Sequence, residues 1–285
     1  MDTRSQVRIV TDTTAVLDLE FARSRSIEVV PQVVVFDDVS FKEDYELTYD
    51  AFIRRLKTAR QLPKTAAPEP GWMMEAYRKQ LAHAKTIISI HPSAEVSGTV
   101  RSAMVAKSEE FPNEDIRIID SRVIGGPLAA MVIEANDMAE KHASADEIVA
   151  RINFMVPRVR AYFLVSTLEY LQKGGRIGGA SALIGSALQI KPILQVKNGR
   201  VEQYERVRTF QQALGRLEQI VADECPRSEQ AHLCVMHADD FHGAQHLAGD
   251  LMSMLNVTEI PIYGLGAAIT THAGPGTLAV GFFVD

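Results

Sequence analysis

Three times in the first 120 residues a short apolar, largely β-branched run stops at small hydroxyl or carboxylate side chains, and helical spacing begins directly after. Residues 7–11 end in Asp12-Thr13-Thr14, residues 86–90 run into His91-Pro92-Ser93, and residues 116–119 end in Asp120-Ser121-Arg122. Runs this short and this rich in β-branched residues read as buried strands. Strand, polar turn and helix repeated in that order predict a parallel sheet between layers of helix. In such a sheet the turns after the strands gather along one edge, where ligands sit. A further run over 27–36 reads as one more doubly covered strand, followed by an acidic loop over 37–46 and a proline-rich turn over 64–71. Thr48 is placed to cap a helix carrying Phe52, Ile53 and Leu56, and Ser144 with Glu147 forms a capping box.

The second half changes character after Pro157. A strand is expected over 161–165, then a helical run that breaks into two glycine pairs around Arg176 (168–179), then a helix to about residue 190. Residues 193–196 and 201–207 flank Asn198-Gly199, a strong signal for a tight hairpin and hence for antiparallel pairing. Helices over 210–222 and 241–255 alternate with strands over 232–236, 260–263 and 278–284. At 285 residues the chain exceeds one ordinary core. The expected fold is two-lobed α/β: a parallel-sheet lobe over 1–157, a mixed-sheet lobe over 158–285, and a ligand cleft between them.

Charge and cysteine content remove several function classes. A net charge of -6 offers no basic field for nucleic acid. No apolar run reaches the ~20 residues that span a bilayer, and the first ten residues do not read as a secretory signal. Cys225 and Cys234 match neither a redox pair nor a zinc knuckle, which leaves reduced thiols and a cytoplasmic setting as the expectation.

The motifs for turnover are missing too. Glu95 stands where a nucleophile elbow at Ser97 needs glycine, and neither a Walker loop nor a GxGxxG turn follows a strand. Cys234, His237, His242 and His246 contain metal-binding side chains, but alternation buries the cysteine in a strand, so no metal is expected. What remains is a set of neutral donors in loops: Thr65, Ser97, Thr99 and His272. Each hydroxyl alone suits a helix cap. Together they suit a carboxylate or phosphate head group without the paired acids that catalysis needs.

In their order along the chain, these motifs resemble the DegV family of bacterial lipid-binding proteins, whose better understood members are fatty-acid-binding subunits of a fatty acid kinase. The resemblance rests on Asp12-Thr13-Thr14, Thr65 before Pro68, Ser97-Gly98-Thr99, Asp120-Ser121-Arg122, residues 168–178, Lys191-Pro192-Ile193 and His272-Ala273-Gly274-Pro275-Gly276. It implies one long fatty acid buried between the lobes, with Thr65 and Ser97 bonded to its carboxylate and His272 beside it. Ala66, Gly98, Thr99 and Gly274 belong to the same loops. It further implies no cofactor and no catalysis by this chain. A separate ATP-dependent kinase makes the acyl phosphate, and Arg176 and Arg206 are the candidates to meet it. Brief contact with a membrane fits the same role. One departure stands out: Ala66-Ala67 replaces the family's usual Ser-Gln. The reading kept beside this one is a small hydrolase or phosphotransferase using Ser97 and His272, and a third is a sensor whose ligand changes lobe packing. Met73, Met74, Met104 and Met131 are the candidate tunnel-lining methionines, with core packing as their other role.

Overall fold

The computed structural model describes residues 5–184 and 190–284. In the first half come β1 (Ser5–Asp12), α1 (Leu19–Ser24), β2 (Glu28–Val30), β3 (Val33–Phe36), β4 (Val39–Lys42), α2 (Tyr49–Thr58) and β5 (Lys64–Ala66). They are followed by α3 (Pro70–Leu81), β6 (Ala84–His91), α4 (Thr99–Glu110), β7 (Asp115–Asp120), α5 (Gly126–Glu140) and α6 (Ala145–Met155). A 3₁₀ turn over Val156–Arg158, containing Pro157, leads into the second half.

The doubly covered strands form a parallel sheet in the order β2-β1-β6-β7. Alternation along the strands explains why successive positions are apolar on both faces. Ile9 and Ile88 pack with Leu128 of α5 and Ile148 of α6, whereas Val10 and Ile87 pack on the other face with Tyr77 of α3 and Ala103 of α4. All four strand residues are fully buried, each contributing about 1.5–3 kcal/mol of apolar transfer.

The run over 27–36 is not one strand. Pro31 has no N–H for the ladder, so the chain leaves the parallel sheet after β2 and enters a separate antiparallel sheet, β4-β3-β5. The stretch expected as an acidic loop therefore contains a hairpin. Asp37 and Asp38 take φ of 47° and 66°, the two positive values a primed turn requires, without a glycine to announce it. The stretch expected as a turn at 64–71 likewise begins as β5, whose register sets Thr65 opposite Val34.

The second half builds a six-stranded mixed sheet from β8 (Val159–Leu164), β9 (Lys191–Lys197), β10 (Arg200–Val207), β11 (Cys234–Ala238), β12 (Ile262–Gly264) and β13 (Thr277–Phe283). Their order is β10-β9-β8-β13-β11-β12, parallel only between β11 and β12. The hairpin turns at Asn198 and Gly199, both at positive φ. Helices α7 (Glu169–Lys173), α8 (Phe210–Glu224), α9 (Phe241–Leu255) and α10 (Ala267–Ala273) complete the fold. After α7 a 3₁₀ segment spans Gly178–Leu183, and the rest of the helix expected up to residue 190 lies mostly outside the described residues.

One face of the six-stranded sheet, through Tyr162, Ile193, Val235 and Val280, packs under α8 and α9. The opposite face carries Phe163, Met236 and Ala279. Helix α5 lies on the parallel sheet and also meets the six-stranded sheet. Gly126 permits that approach, because a Cβ there would stand 2.5 Å from the Cys234 sulfur. Among the described residues, no helix is long and apolar enough to cross a membrane.

Candidate functional site

Where the three sheets meet, a cavity opens whose walls come from β5, the loop after β6, β8, β11, β13 and α10. About 140 Å³ of it is open to the centres of water-sized molecules, on the order of ten such positions. Phe163, Met236, Leu265, Ile269 and Ala279 give it apolar walls, and Gln32, Thr65, Ser97, Arg176 and His272 are among its polar lining. Of the methionines considered from sequence, Met73 and Met131 are core, Met74 is partly buried beside the core and Met104 is exposed; Met236 lines the cavity instead.

Thr65 and His272, 207 residues apart, meet with Oγ1 2.7 Å from Nε2. Burial, and secondarily the Arg176 cation, push the imidazole down to about 4, so it is neutral at physiological pH. Its Nδ1 is buried without a partner. It packs so closely on the backbone at Gly174 that a Cβ there would overlap the ring. An unpaired lone pair is cheaper to bury than an unpaired N–H. This assigns the Nε2–H tautomer, with the imidazole donating to Thr65. The Thr65 hydroxyl proton is then free for the cavity.

Ser97 approaches from the loop that starts α4. Its Oγ lies 2.7 Å from Thr99 Oγ1 and accepts from the Thr99 amide at 3.3 Å. Thr99 is fully buried behind it and does not line the cavity, whereas Ala66, Ala67 and Gly98 do. Gly274 does not line it either; at φ 81° it caps the C-terminus of α10, two residues after His272. Arg176 does not project as a free surface cation. Its Nε donates to Val96 O at 3.1 Å and its Nη1 to Gly174 O at 2.7 Å, fastening the Ser97 loop to the glycine turn. Arg206 is exposed on β10, bonded to Gln203 Oε1 at 2.9 Å.

Two buried polar residues that sequence reasoning passed over support the site. Gln32 lines the cavity and is 3% exposed. Glu43, fully buried, accepts from the Ala268 amide of α10 at 2.8 Å and contacts the Thr13 hydroxyl, so it fastens the helix that carries His272 to the end of β1. Burial, with Asp44 and then Asp12 adding to it, pushes the Glu43 carboxyl up to about 7. A folded-state value above the unfolded one contributes stability that is complete below the unfolded value and lost as pH rises through the folded one. Glu43→Gln removes the titrating proton and keeps an acceptor for the Ala268 amide. The variant is expected to hold its melting temperature between pH 6 and 8, while the unmodified protein loses about 1.4 kcal/mol, or ~3 °C, relative to it by pH 8. Parallel thermal melts across that range check this, and superimposable pH profiles would contradict it.

The residues considered as metal ligands do not converge. Cys234 is buried in the sheet with its thiol pushed up to about 12, and Cys225 is likewise buried and pushed up to about 11. His242 and His246 contact each other at 3.1 Å on the exposed side of α9. Among the described residues no three His, Cys, Asp or Glu side chains form a metal-sized cluster.

A family model described as "Uncharacterised protein, DegV family" matches residues 6–285. The chain belongs to the DegV family. A DegV domain-containing protein of Streptomyces coelicolor is 37% identical to it, covering 96% of this chain and 97% of its own. Two DegV structures align over nearly everything. DegV of Bacillus subtilis, a fatty acid binding protein, has a TM-score of 0.88 at 29% identity and covers 99% of this chain and 100% of its own. A fatty-acid-binding DegV family protein of Thermus thermophilus has a TM-score of 0.87 at 29% identity, covering 98% and 100%.

Proposed function

We propose that this DegV chain is a non-catalytic carrier that takes one long-chain fatty acid into the cavity, with the carboxylate at Thr65, Ser97 and His272. The observation that carries the reading is the set of neutral donors in the wall: the hydroxyls of Thr65 and Ser97 and the neutral imidazole of His272 line a cavity that also has extensive apolar walls. Each buried methylene supplies ~0.8 kcal/mol, so the chain provides affinity and the head group provides orientation. Hydroxyl donors offset the desolvation of a carboxylate and leave one of its oxygens available. The fatty-acid-binding relatives of Bacillus subtilis and Thermus thermophilus support the ligand class.

In the fuller form of this proposal, an ATP-dependent partner kinase phosphorylates the presented carboxylate to an acyl phosphate in the cytoplasm. Arg206 is the exposed cation offered to that partner, and Arg176 acts by holding the site's two loops. The division into lobes at 157/158 belongs to the same proposal, since walls of the cavity come from both sides of it. A hydrolase working through Ser97 and His272 needs those two side chains paired. Ser97 bonds to Thr99 and His272 to Thr65, which favours the carrier.

The direct test is native mass spectrometry of gently purified protein, with analysis of its organic extract. A fatty acid at close to one per chain is expected. An empty protein that also takes up no added fatty acid would refute the carrier reading.

A further inference from the structure

Behind Ser97 runs a buried chain of polar groups that the carrier reading does not use. Tyr77 OH lies 2.9 Å from Ser89 Oγ, which lies 2.7 Å from His91 Nε2, and His91 Nδ1 lies 2.8 Å from Asp12 Oδ2. Asp12 Oδ1 accepts from the Thr14 amide at 3.1 Å, the Thr14 hydroxyl at 2.5 Å and the Gln32 amide nitrogen at 2.8 Å. The same nitrogen reaches Thr99 Oγ1 at 2.8 Å, one bond short of Ser97. Asp12, His91 and Thr99 are all fully buried.

We infer that Gln32 is a positioning residue which fixes the direction of the Ser97 hydroxyl proton and so makes the site select a carboxylate over a neutral head group. The inference rests on the fatty-acid reading above. Asp12 takes four contacts, matching a carboxylate's four acceptor sites. Gln32 must therefore turn its NH2 side, not its carbonyl, toward Asp12. Both hydrogens of that nitrogen are then committed, one to Asp12 and one to Thr99. Thr99 Oγ1 is an acceptor from Gln32, so its own proton goes to Ser97 Oγ. Ser97 already accepts from the Thr99 amide. Its remaining proton is directed at the cavity as a donor, beside the proton that His272 leaves free on Thr65.

Gln32→Glu keeps the shape and reverses the polarity. A carboxyl at 32 shares a proton with Asp12 and accepts from Thr99, so Thr99 accepts from Ser97, which then offers the cavity a lone pair. The measurement is the ratio of dissociation constants for hexadecanoic acid and hexadecan-1-ol, by displacement of a fluorescent fatty acid. The variant is expected to lower the preference for the acid at least tenfold, with the alcohol's own affinity within about threefold of the original. Ser97→Ala should abolish this response, so that adding Gln32→Glu to it leaves the ratio where it was. Gln32→Met, which removes the donor without adding charge, moves the ratio in the same direction and serves if the glutamate does not fold. An unchanged ratio, or equal loss of both ligands, overturns the role of Gln32. Failure of the unmodified protein to bind the acid overturns the fatty-acid reading as well, and so separates the two.

Discussion

The double variant Thr65→Val, Ser97→Ala is expected to bind a long-chain carboxylate about 10²- to 10⁴-fold more weakly than the unmodified protein. A hydrogen bond to a charged group contributes ~1.5–3 kcal/mol, and each 1.4 kcal/mol is a factor of ten. Two donors lost together come to about 3–6 kcal/mol. The single variants should sum to something other than the double, because both donors address one carboxylate and share its orientation. Thr65→Val also leaves the His272 N–H without its acceptor, so this single variant is expected to be the more damaging of the two. Titration calorimetry with a saturated fatty acid measures all three. Unaltered affinity in the double variant would place the head group elsewhere in the cavity.

A large loss of stability is expected at Gly274. Its φ of 81° and ψ of 157° lie in a region that only glycine occupies comfortably, at about 1–3 kcal/mol for other residues. A Cβ there would also stand 2.5 Å from Cδ2 and 2.9 Å from Cγ of the Tyr170 ring. A ring edge cannot fold aside as a lysine tip does, and overpacking of this kind costs about 1–3 kcal/mol more. Gly274→Ala should therefore lose about 2–6 kcal/mol in urea unfolding. A loss under ~1 kcal/mol would mean that Tyr170 moves away freely. Excess fatty acid should restore part of the loss, because a ligand that binds only the folded chain raises its stability by mass action.

Much of the fold was readable where local chemistry and burial agree. The apolar runs around Ile9, Ile88 and Ile119 are strands covered on both faces, and Asn198-Gly199 turns as its residue types require. The three-stranded sheet was not readable, because Asp37 and Asp38 make its turn in left-handed conformations that aspartate signals weakly, and because β5 has three residues. At the site, the hydroxyls of Thr65 and Ser97 and the ring of His272 were legible as neutral donors, but their mutual contacts depend on pairing across the whole chain. Arg176, bracketed by glycines, reads as an exposed cation. The carbonyls of Val96 and Gly174 that hold it inward are main-chain groups, and no residue type advertises them. Glu43 looks like part of an acidic loop until the amide of Ala268 is seen at its tip. Gln32 has one trace in the sequence, a polar side chain between Pro31 and a run of three valines. Its partners, Asp12 and Thr99, stand 20 and 67 residues away, which the run itself does not reveal.

The position of β13 bears on how the protein is made. The last strand of its sheet in sequence order is not at an edge but in the middle, between β8 and β11. During synthesis those two neighbours emerge first and have no partner on their facing sides. Their unpaired edges persist until residues 277–283 leave the ribosome, a period in which non-native pairing competes. The same strand brings Thr277 and Ala279 to the cavity wall. Closing the sheet and closing this wall of the cavity are thus one event in folding.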